Sequence, residues 1–81
     1  MSIERAAMRG KLAEAEDMRR RLNLKGEGLI IALRQGLNTA LQPFEDIDIP
    51  LLDEQWDSLK TAWAEVIKIR SDIARLEREL R

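Results

Sequence analysis

Ser2, Ser58 and Ser71 are the only serines, and the chain has no histidine and no cysteine. A serine nucleophile needs an adjacent base to take its proton, and neither imidazole nor thiolate is there to supply one. The carboxylates fall on polar helix faces or in a central turn, not as a pair in unlike environments of the kind acid–base catalysis uses. Gly26-Glu27-Gly28 lacks the third glycine, the preceding strand and the downstream Lys-Ser/Thr of a phosphate-cradling loop. The run Glu45, Asp46, Asp48, Asp53 and Asp57 invites comparison with a calcium loop. Counting from Asp46, however, Pro50 falls at the fifth position and Leu51 at the sixth, where the tight turn needs glycine. Without Cys or His the usual structural zinc sites are excluded. The expectation is a protein that is not an enzyme and uses no cofactor or metal, its acidic run serving as solvated turn and helix-capping residues.

Two surface features remain. Arg9, Lys11, Arg19, Arg20, Arg21 and Lys25, together with Arg5, make the N-terminal third basic, the footprint a polyanion such as nucleic acid would seek. Consecutive arginines on a helix fan out at 100° intervals, and Glu14, Glu16 and Asp17 lie within reach, so a solvated, ion-paired face is the simpler reading. The block also has no aromatic ring on which an unpaired base could stack. Trp56 and Trp63 are seven residues apart and so share one helix face. Large aromatics dominate cores and interface hot spots, and the expectation for both rings is burial inside the fold or between two copies, an anchor for a different protein being the alternative.

The elements that position these residues are helices. A charged fraction of 36% with 4% aromatics matches the composition of long helices and coiled coils. The stretch Gln42–Pro50 is the one place where helical periodicity must stop, since Pro43 and Pro50 lack amide hydrogens and bracket three carboxylates. Before it, Met8, Leu12, Ala15, Met18, Leu22, Gly26, Leu29, Leu33, Leu37 and Ala40 recur at steps of three or four. After it, Leu52, Trp56, Leu59, Trp63, Val66, Ile69, Ile73, Leu76 and Leu80 do the same, with two successive threes at Trp63-Val66-Ile69.

Residues 1–81 are therefore expected to form a single all-α domain, an antiparallel helical hairpin. It has a helix over about 2–41 capped by Ser2, a turn over 42–51 and a helix over about 52–80. The first helix is expected to be continuous or kinked at 25–28, because its apolar stripe keeps phase there; a break at the two glycines is the alternative. At 1.5 Å per residue the first helix would outreach the second, leaving the turns around Met1 to Leu12 projecting. Phe44, Ile47 and Ile49 are expected to fold back onto the helix ends near Ala40, Leu41 and Leu52. Charge is uneven: residues 1–25 carry seven basic and four acidic side chains, residues 26–57 one and seven, and residues 58–81 six and four.

Gly28-Leu29-Ile30-Ile31-Ala32-Leu33-Arg34 leading into Pro43-Phe44-Glu45-Asp46, followed by the charged terminal stretch Ile73-Ala74-Arg75-Leu76-Glu77-Arg78-Glu79-Leu80, resembles small uncharacterised helical proteins of Mu-like prophages. The resemblance implies a phage-derived helical hairpin with no assigned activity, and it carries over no catalytic or binding residue.

A core built from so short a chain rarely supplies more than about 3–5 kcal/mol, and Ile30, Ile31 and Ile67 lie beside the main stripes. The hairpin is therefore expected to self-associate, with a dimer forming a four-helix bundle as the first choice, through Ile30, Ile31, Trp56, Trp63 and Ile67. The function expected is a structural or protein-interaction module, and the alternative is a nucleic-acid-associated accessory protein using the basic block. With no leader pattern and no apolar run near the ~20 residues of a membrane span, the expected location is the cytoplasm.

Overall fold

The computed structural model describes residues 2–81. Helix α1 runs Ile3–Gly36 and helix α2 runs Ile49–Leu80. The two lie antiparallel: the Arg5 guanidinium donates a 2.7 Å hydrogen bond to the Leu80 carbonyl at one end, and Gly36 meets Leu52 at the other. The result is a rod with extents of 63 × 15 × 15 Å.

The helices are nearly equal in length because both ends of the connection differ from the sequence expectation. Helix α1 stops at Gly36, five residues early. Leu37 closes it with its amide on the Leu33 carbonyl at 3.0 Å, and the Asn38 side chain then accepts from the Ala40 amide at 2.9 Å. Asparagine competes with the helix for backbone donors in just this way, so Leu37 and Ala40 leave the stripe and are exposed.

Helix α2 starts three residues early, with Asp48 as N-cap and its carboxylate accepting from the Leu51 amide at 3.0 Å. Pro50 lies in the first turn of α2, where an amide hydrogen would have no intrahelical partner, so it helps to start the helix instead of interrupting the chain. The turns after Ile3 consequently do not project, since Arg5 already reaches the last turn of α2; Met1 lies outside the described residues. Ser2 takes the N-cap position of α1 with extended dihedrals, but its side chain makes no capping hydrogen bond.

Helix α1 is unbroken through Gly26 and Gly28, and no glycine has positive φ. Gly36 is the one glycine with a packing role. A Cβ built there would stand 2.7 Å from Leu52 Cδ2, so the missing side chain leaves room for Leu52 to be buried.

The core is a single seam of Leu22, Leu33, Leu52, Ala62, Ile73 and Leu76. On α2 the inward residues are Leu52, Gln55, Leu59, Ala62, Val66, Ile69, Ile73, Leu76 and Leu80, and their spacing alternates three and four without exception. That overturns the seam drawn through the tryptophans. Gln55 and Ala62 take the inward places, the double three disappears, and Trp56 and Trp63 stand one residue outside, 52% and 64% exposed. A side chain next to the seam is rotated by about 100° from it, which suffices to carry an indole out of a two-helix interface. On α1, Arg5, Met8, Leu12, Ala15, Leu22, Gly26, Leu29, Leu33 and Gly36 are buried or half-buried, while Met18 is exposed on the side.

The connection is less tied down than expected. Phe44–Asp46 form one 3-10 turn, with the Asp46 amide on the Pro43 carbonyl and the Ile47 amide on Phe44. Ile47 is half-buried, but Phe44 is 77% exposed and Ile49 is exposed within the first turn of α2. The 3-10 turn thus sends the phenyl ring outward.

Candidate interaction surface

Among the described residues every ion pair lies within one helix: Asp17 with Arg20 and Arg21, Asp57 with Lys60, and Arg75 with Asp72 and Glu79. Of the carboxylates within reach of the three arginines, Asp17 pairs with Arg20 at 3.3 Å and with Arg21 at 2.8 Å. The helices are therefore joined by the apolar seam and the Arg5 hydrogen bond, and this leaves two long flanks, one on each side of the seam.

The flanks differ. One is lined by Met8, Lys11, Met18, Asp72, Arg75 and Glu79 at the open end of the hairpin, a surface on which apolar and charged side chains alternate. The other becomes apolar toward the turn. Ile30 from α1 stands beside Trp56, Leu59, Lys60 and Trp63 from α2 around a hollow of about 310 Å³. Adjoining it is a groove of about 160 Å³ with Leu22, Gly26, Leu59 and Ala62 along it and Trp63 at its side. Ile30 is 46% exposed. Ile67, half-buried, is one helical turn beyond Trp63 on the same side, and Ile49 is seven residues before Trp56, so the spacing extends the flank both ways.

Of the interface residues read from sequence, the structure thus gathers Ile30, Trp56, Trp63 and Ile67 on one flank. Ile31 is separate: it is exposed beside Arg34, Gln35 and Asn38, rotated about 100° from Ile30. Sequence reasoning missed Ala62, which with Gly26 makes the floor of the groove. Its signal was available, because two small residues facing one another in an otherwise leucine-rich seam leave a hollow beside any large neighbour.

The basic residues are not gathered into a stripe. Arg19 and Arg20 share a hollow with Glu16 and Glu77, Arg20 and Arg21 both pair with Asp17, and Lys11 lies with Glu14, Asp72 and Glu79. Arg9 and Lys25 are exposed. Carboxylates interleave most of the block, which lowers the potential a polyanion would meet.

Among the described residues no group of three or more carboxylates is placed to hold a metal ion, and no helix is long and apolar enough to cross a membrane. No protein-family model, curated protein or solved structure matches the chain.

Proposed function

We propose that this protein is a structural, protein-interaction module that self-associates through the Ile30, Trp56, Trp63 and Ile67 flank, without catalytic activity of its own. The observation that carries the reading is the exposure of both indoles next to an apolar groove. An exposed tryptophan in isolation is unremarkable, but two on one flank with Ile30 and a groove floored by Gly26 and Ala62 form a contiguous apolar surface of the kind that marks interaction sites. Aromatic side chains in such settings are the residues that anchor interfaces.

A second copy is the partner proposed because a single seam between two helices is a thin core for a free-standing chain, and closed two-fold dimers are the commonest way such surfaces are covered. Two hairpins pairing on this flank make a four-helix bundle. A phage-derived origin, as the resemblance of the turn and flanking helices implies, is compatible with a small accessory protein of this kind and adds no residue role.

The test reads the tryptophans directly. Dilution of the protein from the micromolar range should shift their emission to the red and open them to iodide, while helicity is retained until the hairpin itself melts. Trp63→Glu and Ile67→Glu should give the red-shifted, quenchable state or loss of assembly at all concentrations, because an unpaired charge in a covered apolar surface costs several kcal/mol. Free quenching of both rings at high concentration in the unmutated protein refutes the reading. Salt-sensitive binding of duplex DNA at ~0.15 M salt would favour the basic block as a nucleic-acid surface instead.

A further inference from the structure

Charge divides along the rod. Residues 2–25 and 62–81, which build the open half, carry twelve basic and eight acidic side chains, and residues 26–61, which build the turn half, carry two and seven. The apolar flank lies toward the turn end of this polarised rod, and the open half of the same flank bears Arg19 and Arg20 beside Glu16 and Glu77, with Arg70 seven residues after Trp63.

Size restricts how a second copy can lie there. A specific interface needs about 800 Å² from each partner. A rod 15 Å wide supplies that only over roughly 50 Å of its length, so two copies must lie lengthwise and not cross steeply at the aromatic patch. Two lengthwise arrangements with two-fold symmetry exist. With the copies parallel, the acidic turn half of one lies on the acidic turn half of the other, and the basic halves likewise coincide. With the copies antiparallel about the level of Ile30, the acidic connection around Glu45, Asp46, Asp48 and Asp53 comes over the open half of the other copy, near Arg20 and Arg70, where basic side chains outnumber acidic ones twelve to eight. Like charges placed face to face are costly, and complementary potentials fix register.

We infer that the occupant of the apolar flank is a second copy of this chain lying antiparallel, turn end over open end, with a tryptophan of each copy seated on the Gly26 and Ala62 floor of the other. This inference rests on the self-association reading and adds to it the orientation of the copies. Because the chain has no cysteine, a single one can be introduced and spin-labelled. Gly10→Cys is suited to this: Gly10 is exposed, and a Cβ there meets nothing within 4 Å.

Gly10 is twenty residues from Ile30 along α1, so the two labels of an antiparallel dimer lie about 60 Å apart along the axis, whereas a parallel dimer places them side by side within about 30 Å. The experiment measures the label-to-label distance in the full chain by pulsed electron paramagnetic resonance, alongside its mass in solution. A dimer with the long distance is the expected result. A dimer with the short distance overturns the orientation and leaves self-association standing, and a monomer overturns both.

Discussion

Gly28→Ala is the perturbation that most cleanly probes the continuity of α1. Gly28 lies inside the helix with negative φ, is exposed, and a Cβ built on it meets no atom within 4 Å. Nothing opposes the helix-propensity gain of alanine over glycine, about 1 kcal/mol in a helix interior, part of it from the reduced freedom of the unfolded chain. For a domain of this size that is roughly 4–8 °C in Tm. Gly26→Ala shares the same free space and the same gain, but its methyl group enters the floor of the groove.

The two variants should therefore separate. At a protomer concentration low enough to suppress assembly, both should melt later than the unmutated chain. At high concentration Gly28→Ala should keep its whole advantage, while Gly26→Ala should lose part of it, since association adds to apparent stability only as far as the partner binds. Circular dichroism melts at two concentrations are sufficient. A lower Tm for Gly28→Ala would refute the reasoning, because only a chain that needs a glycine conformation at 25–28 would resist alanine there.

Gly36→Val should have the opposite sign. Its Cβ alone would come within 2.7 Å of Leu52 Cδ2, and displacing a buried leucine costs about 1–3 kcal/mol, readable as a shift in the urea midpoint. Asp48→Ala removes the side-chain cap of α2 and should cost about 1 kcal/mol, with Asp48→Asn restoring most of it. Phe44→Ala should change stability by less than about 1 kcal/mol, well below the 3–5 kcal/mol of a core phenylalanine, because the ring is exposed; a loss of core size would show that the connection folds back after all.

The hairpin was legible because its causes are local. Steps of three and four in the apolar residues specify helix, and a proline with carboxylates around it specifies a turn. What was not legible turned on side chains whose effect depends on context. Pro50 reads as a breaker until Asp48 is recognised as a cap that places it in a first turn. Asn38 carries no apolar signal, yet its side chain ends α1. A spacing of three and four can be drawn through Trp56 and Trp63 as well, but only with a double three, and the unbroken alternation through Gln55 and Ala62 is the better guide to the seam. The rings stand outside the hairpin, beside Ile30 and Ile67 on one flank, and Ile31 lies apart. Arg5, read only as part of a basic block, hydrogen-bonds to the last turn of α2 and so aligns the two helices end to end.

Sedimentation equilibrium of the unmutated chain, across micromolar concentrations, tests most directly the claim that its apolar flank is covered by a second copy. A species of twice the 9.4 kDa chain mass is expected, giving way to monomer on dilution and in Trp63→Glu. A cooperatively folded species of 9.4 kDa at every concentration would contradict it.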